Sequence, residues 1–149
     1  MRYRSLALLT LLAFAIGCAS SNTAQRPANI SRPEINAELA NEVFFAGGSS
    51  APATIDVTVK NTATEPITVR RIEVDSPDMT EWGIMRQSRS YSDVIEPGAT
   101  KSLTFFGTAR AITSSRSEPL TFRTTVEFET AGGVHWREQL TMISTRSPR

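Results

Sequence analysis

Apolar and polar residues alternate along most of the chain from residue 42 onward. In the stretch ATIDVTVKN, residues 53–61, the apolar residues Ile55, Val57 and Val59 share one parity, and polar residues occupy the other. A period of two places apolar side chains on one face of a β-strand and polar side chains on the face toward water. This segment therefore predicts a strand with one buried face.

The alternation is clearest from Leu120 to Glu129, where one face carries Leu120, Phe122, Val126 and Phe128. The next residues, 131–133, are Ala-Gly-Gly, and glycine can take the positive φ angles that tight hairpin turns need. The returning segment places on one face Val134, Trp136, Leu140 and Met142. Glu138 shares that face, and we expect it near an end of the fold or beside a partner such as arginine, because a carboxylate buried alone is costly.

The alternation changes phase once. Ile67 and Val69 have one parity and Ile72 and Val74 have the other, with two arginines, residues 70–71, between them. A β-bulge, which accommodates one extra residue in a strand, would return the later apolar side chains to the inward face. The pattern therefore predicts a β-bulge at the arginine pair. The alternative is a strand that is partly covered on both faces.

Shorter segments with strand-like patterns are Val43–Ala46, Trp82–Gln87, Tyr91–Ile95 and Lys101–Gly107. The chain therefore contains seven to eight short strands, with turn residues about every 8 to 12 residues and no convincing long helix. This organisation predicts an all-β protein with the architecture of a β-sandwich.

The first eighteen residues have the three-part layout of an export signal. Arg2 and Arg4 precede an apolar run from Leu6 to Ile16, and small residues lead to Cys18, the one cysteine in the sequence. The apolar run has about 11 residues, whereas a helix needs about 20 to cross a bilayer. An export signal therefore fits this segment better than a membrane-spanning helix.

Ala15, Ile16, Gly17 and Cys18 resemble the lipobox of bacterial lipoproteins. The resemblance implies that cleavage makes Cys18 the new N-terminus, with a thioether-linked diacylglycerol on its sulfur and an acyl chain on its amine. The residue after the cysteine is Ala19 and not Asp. In this class of lipoprotein, a residue other than Asp implies forwarding to the outer membrane if the source is Gram-negative. The alternatives are an ordinary signal cleaved nearby and an uncleaved anchor helix.

The polar stretch after Cys18 contains Pro27 and Pro33 and has no period that could bury a face, so it predicts a flexible tether. The sequence does not decide the secondary structure of residues 33–41, because a capping-box spacing allows a short helix and a first strand fits equally well. The predicted parts are a signal peptide at 1–17, a lipidated cysteine and tether at 18–41, a sandwich domain at 42–145 and a tail at 146–149.

Two phrases, VKNTATEPITVRRIEV at 59–74 and IEPGATKSLTF at 95–105, resemble a hairpin and a Pro-Gly corner of bacterial immunoglobulin-like domains. The resemblance implies an immunoglobulin-like β-sandwich of seven to eight strands. One cysteine cannot form an intrachain disulfide, so this domain would depend on packing alone.

Charge and composition narrow the chemistry. Without Arg2 and Arg4, 14 basic residues stand against 15 acidic ones, and this near balance gives no electrostatic case for nucleic acid. Cys18 and His135 are too few for a structural zinc site, which needs about four ligands, and we expect no metal and no cofactor. The parity of His135 opposes that of Trp136, which predicts a solvated histidine on the outer face and no catalytic residue.

Three glutamates, Glu127, Glu129 and Glu138, come from adjacent predicted strands, and paired carboxylates can hydrolyse glycosides. Glu127 and Glu129 share the outward parity opposite Arg137. Cross-strand charge pairing is therefore the simpler interpretation of these carboxylates.

Two segments are candidate contact surfaces. Residues 76–92 combine the aromatic and arginine side chains that are enriched at binding hot spots, although Trp82 and Met85 could instead cover an edge of the core. Residues 107–119 are too polar to pack and form either a binding loop or a long crossover. The candidate interaction residues are Trp82, Arg86, Arg89, Tyr91, Arg110 and Arg116.

These observations lead us to expect a membrane-anchored, non-catalytic lipoprotein that faces the periplasm and binds an envelope protein as a binding or assembly module. Recognition would use an exposed sheet edge, whose unpaired backbone groups can accept an extended partner, or the arginine-bearing loops. One alternative is a hydrolase or a small-ligand-binding or transfer protein that uses carboxylates or a cavity between the sheets. Another is a structural envelope component.

Overall fold

A computed structural model describes residues 25–114 and 118–144. The predicted signal peptide and the predicted C-terminal tail lie outside these residues. All the regular secondary structure described is β-strand: β1 (Glu34–Leu39), β2 (Ser50–Lys60), β3 (Ile67–Asp75), β4 (Trp82–Ile84), β5 (Gln87–Ile95), β6 (Thr100–Ala111), β7 (Leu120–Thr130) and β8 (His135–Ser144). The residues described include no helix long and apolar enough to cross a membrane.

The strands form two antiparallel four-stranded sheets. The order in one is β1-β2-β6-β4, called here the β2/β6 sheet, and the order in the other is β5-β3-β7-β8, called the β3/β7 sheet. This pairing of inner and outer strands is that of an immunoglobulin-like sandwich. The all-β fold of seven to eight strands predicted from the alternation is confirmed.

The core lies between the two sheets and takes one face of each long strand. Ile55, Val57 and Val59 of β2 are fully buried, and the polar residues between them face outward. At the β3/β7 sheet, the rings of Phe128 and Trp136 stack with their centroids 5.2 Å apart. Burial of aromatic and branched side chains is the main force that holds such a sandwich together.

The predicted bulge in β3 is confirmed. Its pairing with both neighbouring strands shifts register between Val69 and Arg71. Ile67, Val69, Ile72 and Val74 are all fully buried, so the bulge accommodates the extra residue and keeps all four side chains on the inward face.

The predicted hairpin between β7 and β8 is also confirmed. Gly133 has a φ of 79°, and its N–H donates to the carbonyl of Thr130 at 2.9 Å. Glu138 in β8 accepts a hydrogen bond from Arg32 Nε at 2.9 Å, as expected of a carboxylate on that face.

Residues 33–41, for which the sequence allowed a helix or a strand, contain β1. This strand pairs with β2 along its whole length, and its burial alternates. Ile30 is buried as well. The sandwich therefore begins before residue 42, and the first strand that the sequence allowed at 33–41 belongs to it.

The strand predicted at Val43–Ala46 is wrong. Val43 and Phe45 are buried, but the segment joins no sheet and leads into a turn where Ala46 and Gly47 have positive φ. Its alternation reflects burial at an end of the sandwich, where a loop can insert side chains into the core without pairing.

Two other predicted boundaries move. The segment predicted as one strand at Trp82–Gln87 ends as β4 at Ile84, and Gln87 already belongs to β5. β6 continues to Ala111, so the first part of the polar segment 107–119 is strand and not loop.

The connections gather at two ends of the sandwich, as in other immunoglobulin-like folds. The tether end, where the chain arrives from its N-terminal side, contains residues 25–33, 61–66, 96–99 and 131–134. The distal end contains three connections, called here the distal loops: residues 40–49, residues 76–81, and the described residues 112–114 and 118–119 between β6 and β7.

Candidate functional site

Trp82 belongs to the core and not to a contact surface. Its ring meets the ring of Phe45 edge to face, with the centroids 6.2 Å apart, and its Nε1–H donates to the carbonyl of Glu118 at 3.0 Å. Only 4% of the residue is exposed. The structure thus contradicts Trp82 as an interaction residue and supports the alternative, in which it covers an edge of the core.

The side chains of Arg89 and Tyr91 make hydrogen bonds to the backbone of β6. β4 is only three residues long, so most of the adjacent edge of β6 has no strand beside it. Arg89 Nε donates to the carbonyl of Phe106 at 2.9 Å, and the Tyr91 hydroxyl donates to the carbonyl of Thr104 at 3.2 Å. Side chains of β5 therefore close this flank of the sandwich, which leaves Arg89 and Tyr91 less free for a partner than the sequence predicted.

The surroundings of Tyr91 favour its protonated, donating form. Burial raises the pKa of Tyr91 above its ordinary 10.0, and the carboxylate of Asp93 adds to this, while the Arg89 guanidinium opposes it. Asp93 itself pairs with Lys101 Nζ at 2.6 Å, which continues the row of bridges to β6.

The remaining candidates lie on different surfaces. Arg86 extends over the outer face of the β3/β7 sheet, with its Nη2 2.8 Å from Glu73 Oε1. Arg110 lies on the outer face of the β2/β6 sheet and makes no ion pair with any described residue. Arg116 and Cys18 lie outside the described residues. The predicted interaction residues therefore do not form one cluster.

Arg110 does line a surface depression at the distal end, called here the distal pocket. Its volume is about 470 Å³, and it is lined by Ser49, Met79, Arg110, Ala111 and Ile112. Ile112 is 55% exposed. Each distal loop contributes at least one of these residues.

Backbone hydrogen bonds hold the walls of the distal pocket in place. Ala111 N–H donates to the carbonyl of Ser49 at 2.9 Å, and Ile112 N–H donates to the carbonyl of Glu81 at 2.7 Å. Glu118 N–H donates to the Glu81 carboxylate at 3.1 Å. The distal loops are thus tied to each other as well as to the sheets.

Ser76 joins the two sheets beneath the pocket. Its hydroxyl donates to the carbonyl of Thr121 at 2.7 Å and accepts from Ile84 N–H at 2.9 Å. A Cβ added at Gly83 would overlap the side chains of Ser76 and Met79. Glycine at this position therefore lets Met79 lie against β4 and form one wall of the pocket.

The distal pocket combines apolar side chains with one guanidinium group that has no ion-pair partner in the described chain. Arginine and methionine are enriched in the centres of protein interfaces. A guanidinium group offers several donors in a fixed plane, which suits a carboxylate or carbonyl group. Such a pocket can bind an apolar side chain that has an acidic neighbour.

The three glutamates considered for hydrolysis are bound to arginines. Arg137 Nη2 lies 3.0 Å from Glu127 Oε2, which confirms the predicted cross-strand pair, and Arg70 bonds to Glu129. The hydrogen bond from Arg70 holds the pKa of Glu129 below its ordinary 4.5. His135 lies beside both carboxylates on the outer face, with Nδ1 3.5 Å from Glu127 Oε1. In the described chain, no three His, Cys, Asp or Glu side chains come together as metal ligands would.

Sequence reasoning missed four residues of the distal pocket, namely Ser49, Met79, Ala111 and Ile112. The sequence did contain one signal for Ile112. It is a large apolar residue at the start of a segment that is otherwise polar. Ser49 and Met79 carry no such signal, because only the folding of the distal loops brings them beside Arg110.

No family model matches this chain, and no curated protein matches it. Several solved structures are similar in fold. A target of the Northeast Structural Genomics Consortium has a TM-score of 0.47 at 9% identity, over 76% of this chain and 86% of that one. The putative ApaA protein of Bordetella pertussis has a TM-score of 0.44 at 12% identity, over 78% of this chain and 98% of that one.

A third similar structure is a β-glucuronidase of Bacteroides uniformis, with a TM-score of 0.44 at 14% identity. The match covers 74% of this chain but only 13% of the enzyme, so this chain corresponds to a small part of that protein. These are likenesses of a β-rich domain at low identity, and no function follows from them.

Proposed function

We propose that this protein is a lipoprotein of the bacterial outer membrane, anchored through Cys18, whose sandwich acts in the periplasm as a protein-binding or assembly module. One observation carries the proposal: the chain from Cys18 reaches the sandwich at the tether end, and the distal pocket lies at the opposite end. β6, with 12 residues, runs between the two ends, a distance of about 40 Å. The pocket would therefore point away from the membrane.

The attachment of the N-terminal segment supports this orientation. Arg32 and Arg26 both form ion pairs with Glu138 of β8, with N–O distances of 2.9 and 3.6 Å. Ile30, which lies between the two arginines in the sequence, is buried. The eight residue steps from Cys18 to Arg26 can span at most about 28 Å. A lipid on Cys18 would hold the tether end close to the bilayer, since two or more acyl chains anchor a protein stably.

The proposed partner is a protein that places an apolar side chain and an acidic group in the distal pocket. Ile112 and Met79 would contact the apolar side chain. Arg110 would bind the acidic group, because its own charge is not offset by a neighbouring carboxylate in the described chain.

A second mode of recognition is strand addition at the flank opposite β5 and β6. There a groove of about 330 Å³ separates the edges of β1 and β8, and it is lined by residues of both strands. An extended segment could pair with either edge. This mode would place the partner along the side of the sandwich and not at its distal end.

Lipid attachment is tested by labelling growing bacteria with radioactive palmitate. The native protein should incorporate label, and a Cys18→Ser variant should not. The mass of the purified native protein should show a modified N-terminal Cys18. An unmodified Met1, or a mature chain that starts elsewhere, would contradict the anchor.

Partner binding is tested by photocrosslinking from single positions in intact cells. A crosslinker at Ile112 should give a defined protein adduct, and an Arg110→Glu change should reduce its yield. The matched control is a crosslinker at Phe106, which is 57% exposed on the same sheet but outside the pocket. Equal adducts from both positions would reject the distal pocket, and adducts only from β8 would favour strand addition.

A further inference from the structure

A second surface lies on the outer face of the β3/β7 sheet, where four arginines and two glutamates lie around Thr125 and Gln139. The depression between them has a volume of about 370 Å³. Its guanidinium groups come from Arg71, Arg86, Arg123 and Arg137, and we call it the arginine cup. Only Arg86 among these four arginines is one of the interaction residues predicted from the sequence.

The register of the sheet builds the arginine cup. Arg71 lies opposite Glu127, and Glu127 lies opposite Arg137, so these three residues form one row across β3, β7 and β8. The next row contains Thr125, which lies opposite Gln139. Because Thr125 is much shorter than the arginines around it, the sheet surface is concave at this point.

Three of the four arginines already have carboxylate partners. Arg123 binds Asp75 through two hydrogen bonds, of 3.0 and 2.6 Å, and Arg137 binds Glu127 through two, of 3.2 and 3.0 Å. Arg86 binds a third carboxylate, that of Glu73. A guanidinium group has five N–H donors, so each of these arginines keeps donors for a further acceptor.

Arg71 differs from the other three. Its side chain is exposed, and it makes no ion pair within the part of the chain that the structure describes. The four guanidinium groups face two carboxylates in the lining of the cup and a third, that of Asp75, which binds Arg123, so one positive charge remains in excess. The charge of Arg71 is the one that no direct partner offsets.

We propose that the arginine cup binds a phosphate dianion, either free or as the terminal group of a phosphomonoester. A phosphate group presents several oxygens in different directions, which donors from several guanidinium groups can share. Arg71 provides the charge that is not neutralised, and the paired arginines provide oriented donors. This site is separate from the distal pocket and does not depend on the partner proposed there.

The test uses the intact protein in a non-ionic detergent and two probes, inorganic phosphate and glycerol 3-phosphate, at constant ionic strength. Each titration follows the backbone amide NMR signals of Thr125 and Gln139. We expect saturable shifts of both signals with inorganic phosphate. Equal shifts with glycerol 3-phosphate would assign the site to phosphomonoesters, and shifts with inorganic phosphate alone would assign it to the free ion.

Two arginine variants separate a built site from general surface charge. Arg71→Gln should weaken phosphate binding about tenfold, as expected for the loss of a charge-assisted contact. Arg110→Gln is the matched control, since Arg110 is also an exposed arginine without an ion-pair partner in the described chain, and it should leave binding unchanged. An unchanged amide spectrum away from β3 would show that Arg71→Gln still folds.

Two results would overturn the proposal. One is the absence of saturable shifts at millimolar phosphate in the native protein. The other is an equal loss of binding in the Arg71→Gln and Arg110→Gln variants, because the effect would then come from net charge alone.

Discussion

The two ends of the sandwich are closed by different means. At the tether end the central group is Asn61, which is fully buried. Its Nδ2 donates to the carbonyls of Glu65 and Ile95, both at 2.9 Å, and its Oδ1 accepts from Ala63 N–H at 2.9 Å. Its backbone N–H donates to the carbonyl of Ala99, also at 2.9 Å. One polar residue thus joins two turns.

The distal end is closed mainly by aromatic packing. Trp82 and Phe45 meet inside, and the smaller polar group of Ser76 links the sheets beneath them. The sequence neighbour of Phe45 is Phe44, which is 64% exposed, and Ile112 beside the pocket is exposed by more than half. The distal loops therefore carry apolar side chains that face the core and stabilise the fold, and other apolar side chains that are exposed and available to a partner.

The largest effect should come from the aromatic contact at the distal end. Trp82→Ala removes a buried ring and should lower the free energy of unfolding by about 4 kcal/mol, as measured by urea denaturation. Met85→Ala, at an exposed residue close to Trp82 in the sequence, should cost less than about 1 kcal/mol. A loss at Trp82 as small as that at Met85 would mean that the distal loops do not depend on this ring.

The tether end should respond to the loss of its buried amide. Asn61→Ala leaves two carbonyls and one N–H without their side-chain partner and should cost about 3 kcal/mol. Urea denaturation again provides the measurement. Asn36→Ala, at an exposed position of β1, is the control and should change stability by less than about 0.5 kcal/mol. Equal values for the two asparagines would remove the contrast between the ends.

A smaller effect should follow from the polar group at the distal end. Ser76→Ala removes one hydroxyl that makes two buried hydrogen bonds and should cost about 2 kcal/mol. The measurement is thermal or urea unfolding, with the exposed Ser92→Ala as control. If Ser76→Ala costs more than Asn61→Ala, polar closure matters more at the distal end than we infer.

The smallest effect concerns acid stability near the tether end. The pKa of Glu129 is lowered from 4.5, chiefly by the hydrogen bond from Arg70 and to a lesser degree by His135. Because the folded pKa is the lower one, this stabilisation is present above about pH 4.5 and is lost as the pH falls through the lowered pKa. Arg70→Gln should therefore raise the pKa of Glu129 toward its ordinary value.

A carboxyl carbon NMR titration measures this shift directly. Arg71→Gln is the adjacent control, since Arg71 makes no ion pair among the described residues, and it should leave the Glu129 pKa lowered. If both variants raise that pKa equally, the cause is the general positive charge of the sheet face and not the Arg70 hydrogen bond.

Period-two alternation was enough to predict the sheet faces. It identified the inward residues of β2 and β7, and the change of phase at Arg70 correctly indicated a bulge. These predictions succeeded because the pleat of a strand sends each side chain to a definite face, whatever strand lies beside it. The hairpin at residues 131–133 was predictable for a similar reason, since its glycines act locally.

Predictions that depended on distant neighbours failed. Trp82 has the residue type of a contact hot spot, but Phe45, far away in the sequence, buries it. Val43–Ala46 alternates like a strand, but it has no strand beside it. The arginine cup was missed because its rows exist only when the register of β3, β7 and β8 is known, and single-strand patterns contain no information on register.

The bulge in β3 also shows what its extra residue is for. Arg70 and Arg71 can both point to water only because the strand carries one residue more than its neighbours. Deleting one of them would leave Ile67, Val69, Ile72 and Val74 at one parity, so a regular strand would bury the same four side chains. The core therefore does not require the extra residue. Its consequence is a second outward arginine, so that Arg70 can bind Glu129 while Arg71 has no ion-pair partner among the described residues.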